Sequence, residues 1–444
     1  MTRGEAAPGI GRILSTACIG LVLAAVAGDA ASAKPQYGRR SGEVIRAWSE
    51  IARSQAFGNP VRLSRVLAIM HAAQHDAVNG AEPRYETYAS RLSDRRADAE
   101  AAAAAAAHRV LVSFFPANQG SLDAELVDSL ASVPDGPAES AGVALGQAVG
   151  QLLLDVRAND GFDVPDPFAP TPRPGVWEPS PPAFAPMLEA QFQNVRPFTL
   201  RDRTQFLPAP PPDLASARYA RDFAEVKRLG QDTSPLRTAD QTQLAHFWAE
   251  GSPVGWSRIA SIVSSRRDYD LHRTAQLLAL LNMAMADGFV TGWYQKRRFA
   301  FWRPVTAIRK AETDGNPDTS SDPNWLPLRP TPALPDYPST HSLLGGAAAA
   351  ILRRFTGQDH FRFCMTSTTS VPASAERCWN SFTDAELENA GSRVAVGFHF
   401  RFACITGVEV GRKVGRFAIR HSLRPLRHGS RGVRAAGRVA FIVL

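Results

Sequence analysis

Apolar residues recur at three- and four-residue spacing through most of this chain, a period that predicts helices joined by proline-rich loops. Residues 41 to 57 (SGEVIRAWSEIARSQAF) and 60 to 79 (PVRLSRVLAIMHAAQHDAVN) read as the first two helices, with Pro60 in a first turn and Asn79-Gly80 as a stop. Residues 97 to 115 hold seven consecutive alanines, Ala101 to Ala107, which suit a closely packed helix, and another is predicted from about Ala138 to Asn159. From Gly161 to Asp213 the texture changes to PDPFAPTPRPGVWEPSPPAFAP and then FLPAPPPD. That proline density excludes helix or central strand and leaves an extended segment, wrapped over the surface or bridging two helical halves. Helices resume at 216 to 229, 238 to 250 and 256 to 265.

The stretch Leu277 to Arg303 (LLALLNMAMADGFVTGWYQKRRFAFWR) is dense in good helix formers, and Pro304 is expected to stop it. Lys296 and Arg303 are seven apart, which at about 100° per residue places both cations on one face of that helix. Such a pair serves either a solvated basic face, where Arg297 and Arg298 belong, or an anion. Further on, PTPALPDYPSTHSLLGGAAAAILRRFTG puts Ser339, Thr340 and His341 at the start of a helix from about Ser342 to Phe355, stopped by Gly357. Backbone N–H groups at a helix start favour an anion, and a histidine there can exchange a proton with it. An N-cap role explains the two hydroxyls equally well, but not the histidine. A third piece, FTDAELENAGSRVAVGFHFRFACITGVEVGRKVGRFA, carries a Thr383/Glu386 capping box, a last helix from about Phe402 to Ile419, and between them Ser392-Arg393 and His399.

At 444 residues and 44% hydrophobic content the chain can bury a large core, as two domains or one large helical one. Its first 33 residues have Arg3 and Arg12, an apolar run from Ile13 to Ala27 and an Ala31-Ser32-Ala33 cleavage pattern, which together read as a signal peptide for export to the periplasm or beyond the cell. No later run of eighteen apolar residues predicts a transmembrane span in the mature chain. The net charge of +8 is concentrated: six arginines and no acid lie from Arg420 onward, which leaves about +2 for the rest. That distribution argues against a nucleic-acid partner and for a passive basic tail. Cys364 and Cys378 could pair in an oxidising compartment while Cys404 is left over, and no CxxC metal pattern occurs. His71 and His75 share a helix face, but with no third ligand near they read as packed or capping residues.

Read together, the three pieces give Lys-x6-Arg-Pro, Pro-Ser-x-His and Ser-Arg-x5-His, in that order. With these residues the chain resembles the vanadium-dependent haloperoxidases and the wider superfamily they share with type-2 phosphatidic-acid phosphatases and bacterial acid phosphatases. The resemblance is close from Leu277 to Ala418 and softer back to NPVRLSRVLAIMHAAQHDAVNGAEPRY. It implies an all-α fold of helical bundles, with the anion held between helix ends. It implies that Lys296, Arg303 and Arg393, joined by Ser339 and Thr340, bind the oxygens of vanadate or phosphate. His399 would be the vanadium ligand in a peroxidase or the nucleophile in a phosphatase, His341 the acid–base group, and Trp293 a neighbour of the halide. Leu334 stands where chloride-oxidising members carry an aromatic residue.

Two departures bear on activity. Thr340 replaces the family's glycine in Pro-Ser-Gly-His, adding a β-branched side chain and removing glycine's freedom of φ. Ala403, four residues after His399, replaces an aspartate that accepts a hydrogen bond from the other ring nitrogen; losing such a partner typically costs about 10–100-fold in metal affinity or activity. The expected layout is a signal peptide (1–33), an N-terminal helical region (34–160), a Pro-rich connection (161–215), a helical domain carrying the site (216–420) and a basic tail (421–444). The expected function is a haloperoxidase using vanadate, hydrogen peroxide and halide. The alternatives are a phosphatase acting on a phosphomonoester through a phosphohistidine, with no cofactor, and an oxyanion-binding protein with little activity. Self-association is left open.

Overall fold

The computed structural model describes residues 41 to 55 and 59 to 426; the expected signal peptide and most of the basic tail lie outside the described residues. The chain runs through α1 (Glu43–Ser54), α2 (Pro60–Ala81), α3 (Ala99–Phe114), α4 (Gln119–Leu130), α5 (Pro137–Ala158), α6 (Ala217–Leu229), α7 (Ala239–Phe247), α8 (Ser252–Arg266) and α9 (Leu271–Phe299). It continues with α10 (Pro304–Arg309), α11 (Thr340–Thr356), β1 (His360–Thr366), β2 (Glu376–Ser381), α12 (Phe382–Ala395) and α13 (Arg401–His421). The fold is all-α apart from the antiparallel β1–β2 hairpin, in which Cys364 faces Cys378 and the two form a disulfide. None of the helices among the described residues is long and apolar enough to cross a membrane.

Helix α9 is the axis of the molecule. Asp270 caps its start by accepting from the Arg273 N–H, and nearly every side chain from Leu271 to Trp293 is buried. Leu277, Leu278, Leu281 and Met283 sit in one core with residues from both sides of the Pro-rich segment, such as Leu67 of α2 and Leu344 of α11. Truncating any one of these to alanine would leave a cavity worth about 2–5 kcal/mol.

Small residues set how closely the flanking helices approach. The alanines of α3 are almost wholly buried against α5, where a Cβ on Gly146 would fall 2.3 Å from the Ala102 carbonyl oxygen. A second seam joins α13 to α11: a Cβ on Gly411 would lie 1.9 Å from the Leu343 carbonyl oxygen, and one on Gly407 2.3 Å from that of Ser339. Only glycine permits that approach, and it brings the start of α11 against the start of α13.

The Pro-rich segment is extended, as its composition predicts, and it is tied to α9. The buried Asp287 carboxylate accepts the N–H groups of Phe198, Thr199 and Leu200 at 2.5, 2.7 and 3.0 Å. Three local readings are corrected. The helix expected to reach Arg303 ends at Phe299, because Ala300 adopts a left-handed conformation (φ 46°) and its carbonyl accepts from the Trp177 N–H of the Pro-rich segment. Pro304 therefore opens α10 rather than stopping α9, so Lys296 and Arg303 do not share a helix face. Thr383 and Glu386 form no capping box: Ser381 caps α12, and Glu386 is buried in ion pairs with Arg353 and Arg412.

Candidate active site

Five segments meet at one cavity of about 600 Å³. The last turn of α9 supplies Lys296, whose ammonium donates to the carbonyl oxygens of Pro335 (2.6 Å) and Asp336 (3.0 Å). Arg303, at the start of α10, donates to the carbonyls of Leu334 (2.6 Å) and Phe398 (2.8 Å), with one terminal nitrogen 2.9 Å from His399 Nε2. The first turn of α11 brings Thr340 and His341. The end of α12 brings Arg393, which donates to the Trp248 carbonyl (2.8 Å) and lies 5.0 Å from the Phe398 ring centroid.

His399 follows in the turn between α12 and α13. Gly397 makes that turn at φ 83°, with no room for a side chain, since a Cβ would meet the Gly230 carbonyl oxygen at 2.5 Å. The backbone then folds back so that the His399 N–H donates to the Arg393 carbonyl at 3.2 Å. Lys296, Arg303, Thr340, His341, Arg393 and His399 all line the cavity, together with Trp293, Leu334 and Phe398. Trp293 donates its indole N–H to the Leu188 carbonyl at 3.0 Å while packing on Phe289.

The site is short of negative charge. Lys296, Arg303 and Arg393 are 1%, 1% and 4% exposed, and among the described residues none of them has a carboxylate within 4 Å. Burial pushes the Lys296 ammonium well below its usual range, the Arg303 guanidinium down to about 10 and that of Arg393 down to about 9. Burial first, and then the neighbouring cations, hold His399 well below the ordinary histidine value, and burial with Arg393 does the same to His341. Thr340 Oγ1, His341 Nε2 and Arg393 Nε are buried without a hydrogen-bond partner. Unsatisfied buried donors and unpaired buried cations each cost several kcal/mol in order of magnitude, so a wall built of them is completed by an anion with several oxygens. Such a donor set fits vanadate or phosphate.

Residues 276–428 match the family model of the second helical-bundle domain of vanadium chloroperoxidases. The fold is similar to that of a bacterial vanadium-dependent iodoperoxidase, with a TM-score of 0.74 and 28% identity over 87% of this chain and 97% of that one. Sequence and fold together support a place for the chain in the vanadium-dependent haloperoxidase superfamily. Vanadium chloroperoxidase of Curvularia inaequalis is 32% identical over 148 residues, 28% of this chain, and the match spans only about a quarter (24%) of that protein's length. A bacterial vanadium-dependent chloroperoxidase in its holo form shares the fold, with a TM-score of 0.67 and 17% identity over 87% of this chain and 99% of that one.

Against that superfamily pattern the structure revises three expectations. Ser339 is not in the cavity wall; it caps α11, its hydroxyl accepting from the Ser342 hydroxyl at 3.0 Å. Thr340 needs no glycine-like backbone, because it is the first residue of α11, and its side chain is accommodated at Gly292 of α9, where a Cβ would fall 2.9 Å from its Oγ1. Nor is His399 left without a carboxylate by Ala403. Asp336, fully buried, places Oδ1 2.8 Å from His399 Nδ1. Burial pushes the Asp336 carboxyl up to about 7 against the opposing pull of Arg303 and Lys296. The sequence reading passed over Asp336, although a lone acid in the apolar run PTPALPDYPSTH was the signal. His71 and His75, by contrast, are packed as expected, His71 between Gln74 (2.9 Å) and Ser49 (3.2 Å).

Proposed function

We propose that this protein is a vanadium-dependent haloperoxidase, oxidising halide with hydrogen peroxide at an oxyanion held by His399. The observation that carries the reading is the set of three buried cations, none ion-paired among the described residues, that share one cavity with two neutral histidines. Bound vanadate would supply the Lewis-acid centre at which hydrogen peroxide is activated toward halide. The chain's own residues do the rest. Lys296, Arg303 and Arg393 neutralise a multiply charged anion, and the guanidinium planes orient its oxygens. Thr340 Oγ1 adds a hydroxyl donor. His399 has Nδ1 2.8 Å from the buried Asp336 carboxyl, which leaves Nε2 as the nitrogen for the anion's central atom. His341, kept neutral in the unliganded cavity, takes up and returns a proton once negative charge beside it raises its pKa. Trp293, Leu334 and Phe398 give the cavity an apolar wall suited to a weakly hydrated halide.

The same donors suit a phosphomonoester, with His399 Nε2 attacking phosphorus and His341 protonating the leaving oxygen, and that is the second reading. Export forms part of the proposal, supported by the Cys364–Cys378 disulfide, a bond that persists in oxidising compartments.

The full chain, loaded with orthovanadate, is expected to halogenate a phenolic dye with hydrogen peroxide and iodide, bromide or chloride, and His399→Ala to abolish this. Hydrolysis of p-nitrophenyl phosphate by vanadate-free protein, inhibited by vanadate and with no halogenation, would establish the phosphatase instead. Absence of both activities, with vanadate still raising the melting temperature, would leave an oxyanion-binding protein.

A further inference from the structure

We propose that Asp336 is the positioning residue of His399, filling from the loop before α11 the role that the superfamily gives to an aspartate at the position occupied here by Ala403. One terminal nitrogen of Arg303 lies 2.9 Å from His399 Nε2 and 3.4 Å from Nδ1, so the cation does not choose between the two ring nitrogens and the choice falls to the carboxylate. Nδ1 lies 2.8 Å from Asp336 Oδ1, and both carboxylate oxygens are buried with no hydrogen-bond partner among the described side chains, so the proposal places the proton of the neutral ring on Nδ1, facing the acid, and the lone pair on Nε2. This fully buried carboxylate faces the turn that carries His399, with the neighbouring Phe400 N–H beside it as well as the ring.

The backbone around it is fixed from several sides. The Asp336 N–H donates to the Phe301 carbonyl (2.8 Å), and its own carbonyl accepts from Lys296 (3.0 Å). The Ser339 N–H donates to the Ala403 carbonyl at 3.0 Å, tying this loop to the first turn of α13 next to His399. Acid and imidazole are thus set in register by different elements, and an acid at 336 with alanine at 403 keeps one carboxylate at the ring in place of the usual arrangement. The tautomer this selects puts the lone pair on Nε2, the nitrogen that would face an oxyanion's central atom.

The inference rests on the oxyanion-binding reading for its affinity consequence but not for its tautomer consequence, and the test keeps them apart. Ring ¹⁵N shifts in the ligand-free protein, assigned with His399→Ala, are expected to show the Nδ1–H form in the wild type and a shift toward Nε2–H in Asp336→Ala. Affinity for vanadate and for phosphate should fall about 10–100-fold in Asp336→Ala. Adding Ala403→Asp to that variant should return both the tautomer and most of the affinity. The near-isosteric Asp336→Asn, which keeps an acceptor but loses the charge, should hold the wild-type tautomer.

If Asp336 only balances the charge of Lys296 and Arg303, Asp336→Ala loses affinity with the tautomer unchanged, and the proposal fails. It fails equally if Asp336→Ala binds both anions as the wild type does. Should the double variant not fold, the tautomer in the two single variants decides. A wild type that binds neither anion overturns the functional reading while leaving the tautomer result standing.

Discussion

Two regions of this molecule bury charge in opposite ways. Beside the alanine-rich helices, Arg65 and Arg157 are buried, yet both reach Asp160, at 3.0 and 2.9 Å, and Arg157 also lies 3.8 Å from the Phe198 ring centroid. Asp76 is equally buried and is satisfied by the N–H groups of Tyr88, Ala89 and Ser90. Around the cavity, Lys296, Arg303 and Arg393 are buried to the same degree and are left with carbonyl partners. Burial of a charge says little by itself. A buried charge with no ion-pair partner among the described residues points to a ligand, because its desolvation is repaid only when something binds.

The largest effect expected from this contrast is on the structural side and concerns acid. His71 belongs to the satisfied region, and burial lowers its pKa to about 3. Between the ordinary histidine value of about 6.5 and that figure, the unfolded chain carries a proton that the folded one does not. Stability from this group is complete above the unfolded value and drains away as pH falls through the window, by at most about 5 kcal/mol. Urea unfolding from neutral pH downward should show that slope, and His71→Gln should flatten it; an unchanged slope would remove His71 from the account.

Asp160→Ala comes next. It strands two buried guanidiniums and should cost about 3–5 kcal/mol in unfolding free energy. The matching change at the cavity, Arg303→Met, should behave in the opposite sense. It relieves an uncompensated buried charge, so the ligand-free protein should melt no lower, while losing about 1.5–3 kcal/mol of vanadate or phosphate affinity, the worth of a charged hydrogen bond. Calorimetric titration alongside thermal melts measures both quantities. An Arg303→Met protein that melts much lower without any anion would erase the distinction between the two regions.

How much of this was legible beforehand follows from whether the cause was local. The helices were visible because each buries a stripe at helical spacing, and the cavity residues because three short motifs kept their order. The hairpin was missed although His360–Thr366 alternates inward Phe363 and Met365 with outward neighbours, a period-two signal too short to stand out. The end of α9 could not be read at all: QKRRFAFW continues a helical pattern, and Ala300 turns left-handed where the Pro-rich segment, distant in sequence, pairs with it through Trp177. Asp336 was overlooked for the same reason, since its relation to His399 exists only after α11 and α13 have docked. The motif at Thr383 and Glu386 misled because a capping-box spacing says nothing about the buried arginines that claim the glutamate.

The smallest effect tests the most local piece of the comparison. Glycine serves structure in the seam of α5, where Gly142 and Gly146 admit the alanine helix, and serves the cavity at Gly292, which admits the Thr340 hydroxyl. A methyl at 292 would meet Thr340 Oγ1 at 2.9 Å and its Cγ2 at 3.2 Å. Threonine is stiff at χ1, so it cannot swing aside cheaply. Overpacking of this kind costs about 1–3 kcal/mol, while alanine in a helix interior gains up to about 1 over glycine, so Gly292→Ala should be destabilising by about 0–2 kcal/mol net. In a Thr340→Gly background the clash is gone and only the helical gain remains, so the same substitution should then stabilise. Chemical denaturation of the four proteins of that cycle reads the sign. A Gly292→Ala effect that is the same in both backgrounds would mean that Gly292 has nothing to do with Thr340, and that the threonine is tolerated for some other reason.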